Sequence, residues 1–219
     1  MNDSTRPSPF LSVVIPAKNE ADNLRPLVEE VRRALDGTYD YELIYVDDGS
    51  TDATWDTLGA ILAEGFDRLR VLRHERSTGQ SFAVLTGARA ARGEWHVVLD
   101  ADGHTDPAHI PGMVARLLEA HRQDGRVVGV IGHRVNRRDS LVKRLSSRIA
   151  NGFRDAMLKD GIPDVGCGLK AARLDWYLRL PCFDHMHRYI PTLIQAQGGI
   201  MIVHPVNHRP RVAGVSKYG

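Results

Sequence analysis

The 219-residue chain lacks long apolar runs, internal repeats and low-complexity segments. No stretch approaches the roughly 18 apolar residues of a transmembrane helix, so we expect none to span a membrane. Residues 1–9 lack the apolar core of a signal peptide and are interpreted as a flexible tail. Cysteine is scarce: Cys167 and Cys182 cannot form a metal site alone. We expect reduced thiols in a cytosolic protein, although a disulfide is not excluded.

Two nucleotide-binding signatures are also missing. The first predicted strand runs into P-A-K-N-E, without the G-x-G-x-x-G that brings backbone close to a pyrophosphate, which disfavours a dinucleotide-dependent dehydrogenase. No G-x-x-x-x-G-K-[ST] is present, which excludes a P-loop nucleotidase. The formal net charge is only +2, and the chain is 42% hydrophobic and 26% charged. These values are typical of one soluble globular α/β domain.

Apolar strand patterns alternate with helical ones along the chain. The predicted strands cover residues 10–16, 42–46, 69–72, 97–99, 127–131 and 200–206. The helix after the second strand is expected to bury Trp55, Leu58, Ile61 and Leu62, and the next one to turn Phe82, Val84, Leu85 and Ala88 inward. This alternation predicts a mostly parallel sheet with helices on both faces.

Acidic and polar groups follow three of these strands: residues 18–20, Asp47–Asp48 and residues 100–102. Ligands of such sheets bind outside the carboxyl ends of the strands, so the three loops are expected to share one edge. Asp100 and Asp102 are close in sequence and costly to place together without a cation. Mg²⁺ or Mn²⁺ carrying a diphosphate would satisfy them. Taken alone, the pair is also consistent with aspartates that simply begin a loop.

Basic residues concentrate in two later segments. Residues 134–148 hold six arginines and lysines against one acid, Asp139, with apolar residues on one helical face. This pattern predicts a basic amphipathic helix for a membrane surface or an anionic partner, or else an ordinary surface helix with a solvated basic face. It lacks interleaved aromatics, so we expect no nucleic-acid partner. Residues 208–219 suggest either a disordered terminus or a flexible lid whose Arg211 and Lys217 meet phosphate.

Four motifs together resemble family 2 glycosyltransferases of the GT-A fold. They are V-V-I-P-A-K-N-E, Y-V-D-D-G-S-T-D, L-D-A-D and the final R-x-x-G-x-S-K-Y. Within that family the chain is most similar to the dolichol- and polyprenyl-phosphate sugar transferases. The resemblance implies a GT-A domain over residues 10–207, in which 134–160 form a basic segment facing acceptor and membrane. A mobile C-terminal loop at 208–219 would follow.

The resemblance also implies roles for individual residues. Asp102 is the expected metal ligand, with His104 where relatives often place a glutamine. Asp164 matches an acidic position beside the acceptor, and Ser216 belongs to the mobile loop with Lys217. The residues implied in holding the nucleotide-sugar donor are Pro16, Lys18, Glu20, Val46, Asp48, Asp100, Ala101, Asp102, Arg134 and Arg211. Those implied in catalysis are Asp100, Asp102, Arg134, Asp164, Arg211 and Lys217.

The implied reaction is inverting sugar transfer from a UDP- or GDP-linked sugar to a polyprenyl or dolichyl phosphate, with Mg²⁺ or Mn²⁺. We expect it at the cytoplasmic face of a membrane, with peripheral membrane contact. Two alternatives stay open: a soluble family 2 transferase acting on a saccharide hydroxyl, and a non-catalytic nucleotide-binding or membrane-docking module. A hydroxyl acceptor would need a general base, for which Asp164 is the first candidate. The sugar and the oligomeric state are not indicated by the sequence.

Overall fold

The computed structural model describes residues 10–135, 162–207 and Arg209. Its strands are β1 (Leu11–Ala17), β2 (Tyr41–Asp47), β3 (Leu69–Arg73), β4 (Trp95–Val98), β5 (Val127–Val135), β6 (Lys170–Arg173) and β7 (Ile200–Asn207). Its α-helices are α1 (Ala21–Leu35), α2 (Thr54–Ala63), α3 (Gln80–Ala90), α4 (Ile110–Gln123), α5 (Leu174–Tyr177) and α6 (Ile190–Ala196). Short 3-10 helices cover Pro107–His109 and Met186–Arg188.

The strands form one sheet in the order β3-β2-β1-β4-β6-β5-β7. All described pairings are parallel except those of β6, which runs antiparallel to β4 and β5. The predicted mostly parallel sheet is therefore confirmed. The antiparallel direction of β6 was not predicted, and it has a consequence for function. It places its first residue, Lys170, opposite Val98, at the edge where the parallel strands end.

Helices cover both faces of the sheet, as predicted. Helices α1 and α4 pack on one face, where the helical spacing of Leu24, Val28 and Val31 turns an apolar stripe inward. Helices α3 and α6 pack on the other face, beside Val98 and Val128. Strands β1 and β2 are buried along their whole length, which explains their continuous apolar sequences.

Three predicted core residues are more exposed than expected. Leu62 is 40% exposed because α2 buries a narrow stripe formed by Thr54, Leu58 and Ile61. Trp55 is half-buried, with the Arg73 guanidinium 5.0 Å from its ring centre. Phe82 is 37% exposed because it lies in the same helical row as Thr86 and Arg89, on the outer side of α3.

Gly87 lets α3 approach the sheet closely. A Cβ atom at this position would lie 2.4 Å from Val14 Cγ1, closer than real contacts allow. We expect Gly87→Ala to lower the free energy of unfolding by roughly 1–3 kcal/mol, although alanine favours helix by about 1 kcal/mol. Urea denaturation measures the difference. Gly59→Ala in α2 is the matched control, since nothing lies within 4 Å of its Cβ, and this variant should be neutral or more stable.

Several predicted segments lie outside the described residues. They are the tail at 1–9, residues 136–160 of the basic segment, and the C-terminal loop except Arg209. Within the described ranges, no helix combines the length and apolar character needed to cross a membrane.

Candidate active site

The carboxyl edge of the sheet brings the predicted site residues together from separate strands. Asp47 ends β2 and Asp48 follows it, the Asp100–Asp102 turn follows β4, and Arg134 lies near the end of β5. The order of β1, β4, β6 and β5 makes these loops neighbours. Because β6 runs the other way, it adds Lys170 to this edge from its amino end. The edge therefore combines carboxylates with buried cations.

Asp100 is fixed by two neighbours that the sequence analysis did not single out for the site. The Gln80 side chain donates a 2.8 Å hydrogen bond from Nε2 to Asp100 Oδ1. On the other side Asp100 lies directly against Gly168. A Cβ atom added to Gly168 would lie 1.9 Å from Asp100 Oδ2. Burial raises the pKa of Asp100, and the negative charge of Asp102 raises it further. The Asp100 carboxylate is therefore held in one position between Gln80 and Gly168.

Asp102 and His104 are partly exposed at this edge. Their side chains are 22% and 31% exposed, and His104 Nε2 lies 3.9 Å from Asp102 Oδ2. The His104 backbone amide donates a 3.0 Å hydrogen bond to Asp102 Oδ1, which orients the carboxylate. The described ranges contain no cluster of three or more histidine, cysteine or acidic side chains suited to a metal. One carboxylate and one imidazole do fit Mg²⁺ or Mn²⁺, which commonly take further ligands from phosphate and water.

Arg134 and Asp164 form a two-pronged ion pair beside this loop. Arg134 Nε and one terminal nitrogen donate to the two carboxylate oxygens, both at 2.7 Å. The Arg134 backbone amide adds a third bond of 3.2 Å. Burial opposes charge on the guanidinium, but hydrogen bonding to Asp164 and the nearby negative charges together outweigh it and raise the pKa of Arg134. Arg134 is therefore a fixed positive charge, and Asp164 directs its oxygens at Arg134.

The predicted donor residues on β1 and β2 are packed tightly. Pro16 and Val46 are paired in register and buried within the sheet. Glu20 is 7% exposed and accepts a 2.5 Å hydrogen bond from the Asn23 side chain. Lys18 donates a 2.9 Å bond from Nζ to Ser77 Oγ. Their contact with a nucleotide stays a prediction.

Asp48 holds the loop that leads into α3. Its carboxylate accepts hydrogen bonds from the backbone amides of Thr78 and Gly79, at 2.8 and 3.0 Å. It also lies 2.8 Å from Ser77 Oγ and from His74 Nδ1. Burial alone would raise the pKa of Asp48, but these hydrogen bonds lower it to about 2. Asp48 therefore positions α3, and with it the Gln80 that binds Asp100.

Asp48 should contribute stability that depends on pH. Its pKa falls from 3.8 in an unfolded chain to about 2, so the stabilisation is complete above pH 4 and lost as pH falls toward 2. We expect Asp48→Asn to lower the free energy of unfolding at pH 7 by about 2 kcal/mol. Urea unfolding from pH 7 down to pH 2 should show a shallower acid-dependent loss in this variant. Asp56→Asn, at an exposed position on α2, is the control; an equal loss there would contradict the prediction.

Comparison with known proteins identifies the family. The model of glycosyl transferase family 2 matches residues 12–180, which is more than half of the chain. The chain belongs to glycosyl transferase family 2. The match includes β1 to β6 and every described residue of the carboxyl edge discussed above.

Two curated relatives of this family 2 chain are similar over nearly all of it. The undecaprenyl-phosphate 4-deoxy-4-formamido-L-arabinose transferase of Edwardsiella ictaluri is 35% identical, over 96% of this chain and 63% of the relative. The dodecaprenyl-phosphate galacturonate synthase of Rhizobium johnstonii is 35% identical, over 95% of this chain and 62% of the relative. The chain thus spans less than two thirds of the length of these relatives.

Solved structures agree on the fold. A mannosyltransferase from Pyrobaculum calidifontis, in complex with GDP-Man and Mn²⁺, is 20% identical with a TM-score of 0.64, covering 91% of this chain and 55% of that one. Glucosyl-3-phosphoglycerate synthase from Mycobacterium tuberculosis, with Mn²⁺ and UDP-glucose, is 22% identical with a TM-score of 0.68, covering 93% of this chain and 72% of that one. The GT-A type fold expected for this family 2 chain is confirmed.

Four residues of the family 2 site had no role in the sequence analysis: Gln80, Gly168, Lys170 and Arg209. Arg209 binds Glu30 with two nitrogens and donates a 2.5 Å bond to the Gly103 carbonyl, beside the Asp102 turn. Its backbone amide also donates to the His104 carbonyl at 3.0 Å. For Gly168 and Lys170 the sequence did offer a signal, the D-V-G-C-G-L-K segment at residues 164–170. Its alternate residues are an acid, two glycines and a lysine, a pattern that indicates one polar side facing a site. Arg211 and Lys217 lie outside the described residues.

Proposed function

We propose that the chain transfers a sugar from a nucleotide-diphosphate sugar to the phosphate of a polyprenyl lipid, with inversion at the anomeric carbon. One observation carries this proposal. Two relatives that are 35% identical over 95% or more of the chain are named for sugar transfer involving a polyprenyl phosphate. That similarity covers nearly the whole chain, and the family 2 match at residues 12–180 contains the carboxyl edge described above.

The donor side would be built on Asp102. Mg²⁺ or Mn²⁺, held by Asp102 and His104 together with the diphosphate, would supply positive charge where the leaving diphosphate gains negative charge. The chain contributes orientation: the His104 amide fixes the Asp102 carboxylate, and Gln80 fixes Asp100. The residues that would contact the UDP or GDP moiety are Pro16, Lys18, Glu20, Val46, Asp48 and Ala101.

The geometry favours a phosphate acceptor over a hydroxyl. Asp164, the candidate base for a hydroxyl, directs both oxygens at Arg134 and is 7% exposed. A carboxylate held in this way is poorly placed to remove a proton from an acceptor. A lipid phosphate is already ionised at neutral pH, so its oxygen can bond to the anomeric carbon as the diphosphate leaves, without a base. Arg134, fixed by Asp164, supplies a positive charge for that phosphate.

The lipid acceptor also motivates our proposal on location. A chain that modifies a polyprenyl phosphate must meet it at a membrane surface, and we place the reaction at the cytoplasmic face. The basic residues of 134–160 would draw the chain to anionic lipid, each contributing about 1 kcal/mol near the surface. Arg211 and Lys217 would complete the positive charge around the diphosphate.

Transfer measured with two matched lipids tests the proposal. UDP, GDP and CDP are first compared for thermal stabilisation with Mg²⁺ or Mn²⁺, since a ligand of the folded state raises the melting midpoint. Sugars linked to the stabilising nucleotide are then supplied with undecaprenyl phosphate or with undecaprenol, which lacks the phosphate. We expect metal-dependent transfer to undecaprenyl phosphate alone. Transfer to undecaprenol instead would show a hydroxyl acceptor, and stabilisation by no nucleotide would contradict the transferase proposal and favour a non-catalytic membrane-docking module.

A further inference from the structure

Lys170 is a buried cation at the carboxyl edge for which the proposed reaction has so far no use. The residue is 7% exposed, and its ammonium donates a hydrogen bond to the Cys167 carbonyl. An ammonium has three N–H donors, and removing it from water is costly unless those donors are satisfied. In the described part of the chain, the Cys167 carbonyl is the one hydrogen-bond partner of Lys170 Nζ.

Lys170 interacts electrostatically with charged groups from both halves of the site. Burial lowers the pKa of Lys170, while the carboxylates of Asp100 and Asp164 act in the opposite direction. Asp100 belongs to the donor side and Asp164 holds Arg134 on the acceptor side. Burial also lowers the pKa of His187 to about 4, with the positive charge of Lys170 contributing, so this imidazole is neutral at pH 7. It lies 2.9 Å from Ser81 Oγ through Nδ1.

The conformation of residues 164–169 positions Lys170 at the carboxyl edge of the sheet. Alternate residues of D-V-G-C-G-L-K face the site: Asp164 binds Arg134, and Gly168 receives the Asp100 carboxylate. The intervening Cys167 and Leu169 are buried in the hydrophobic core, which anchors the segment. The antiparallel pairing of β6 then fixes Lys170 opposite Val98 and Ile131. A lysine so constrained is a preorganised point charge, the form in which lysine commonly binds phosphate.

We propose that Lys170 is a substrate-binding residue whose ammonium donates a hydrogen bond to a phosphate oxygen entering between Asp100 and Arg134. The inference rests on the proposed function, because that reaction supplies two phosphate groups. The oxygen belongs either to the donor diphosphate or to the lipid phosphate of the acceptor. Both present the same chemistry to the ammonium, and binding experiments distinguish them.

Binding to Lys170→Met is measured by titration calorimetry on the full chain, with Lys170→Gln alongside because glutamine keeps a polar group at this position. The donor probes are UDP and GDP with Mn²⁺. The acceptor probe is farnesyl phosphate, with farnesol as its phosphate-free control. We expect one probe class to bind roughly ten- to a hundredfold more weakly, as for loss of a charge-assisted hydrogen bond, with farnesol unaffected. Lys170→Arg should retain most of the affinity.

The possible outcomes separately test which phosphate Lys170 binds, whether it binds phosphate at all, and whether the proposed function holds. Weakened binding of UDP or GDP alone assigns the oxygen to the donor, and weakened binding of farnesyl phosphate alone assigns it to the acceptor. Unchanged affinity for both classes in folded Lys170→Met or Lys170→Gln overturns the inference, and Lys170 then only balances the buried carboxylates. A wild-type chain that binds neither class overturns the proposed function itself.

Discussion

Asp102→Asn should abolish the metal-dependent part of nucleotide binding and lower sugar transfer by on the order of a thousandfold. Asparagine keeps the shape of the side chain and can still accept the His104 amide hydrogen bond at Oδ1. It loses the negative charge, and carboxylate oxygen is the ligand that Mg²⁺ and Mn²⁺ prefer. The fold should therefore persist while the donor site fails. A Mn²⁺ titration of thermal stabilisation by UDP or GDP, followed by transfer rates, measures both effects.

The control for this variant lies four residues further along the same loop. Asp106 caps the 3-10 helix at Pro107–His109 by accepting a 2.9 Å bond from the Ala108 amide. Asparagine caps a helix about as well as aspartate, so Asp106→Asn makes the same charge change and keeps the cap, while it loses an ion pair of 3.7 Å with Arg209. We expect it to preserve Mn²⁺-dependent stabilisation. Retention of that stabilisation in Asp102→Asn would remove Asp102 from the metal site.

The sequence predicted the parts of the fold that depend on local pattern. The continuous apolar residues of β1 and β2 and the helical spacing of α1 each follow from burial of one element, so they can be read along the chain. The meeting of Asp48, Asp102 and the β1 loop at one edge also followed, because parallel strands end together.

What the sequence left unpredicted depends on pairing between distant segments. Four residues, Lys170 to Arg173, carry no signal for strand direction, and the reversal of β6 is decided by its neighbours β4 and β5. That reversal brings Lys170 to the site. The bond from Gln80 to Asp100 joins residues on different elements, and it requires the Asp48 loop to hold the start of α3. Exposure of Phe82 likewise depends on which side of α3 meets the sheet.

Gly168→Ala should remove most activity without unfolding the chain. A Cβ atom at residue 168 would lie 1.9 Å from Asp100 Oδ2 and 2.4 Å from its Cγ. Those distances force the carboxylate to move, which would break its 2.8 Å bond with Gln80. Misplacing a catalytic group by about 1 Å can cost on the order of a hundredfold in rate, and we expect a loss of at least that size. Transfer to undecaprenyl phosphate measures the rate, and thermal melting verifies the fold.

Gly125→Ala separates this effect from the general cost of removing a glycine. It makes the same substitution in the turn before β5, where nothing lies within 4 Å of the added Cβ, and it should leave the rate unchanged. If Gly168→Ala transferred sugar at the wild-type rate, a confined Asp100 would not matter for the reaction. If it lost activity together with its cooperative melting transition, the clash would have unfolded the chain, and the loss of rate would say nothing about the position of Asp100. Loss of rate with intact melting is the result that ties Gly168, in D-V-G-C-G-L-K, to the position of Asp100, since the three atoms nearest to the new methyl group all belong to Asp100.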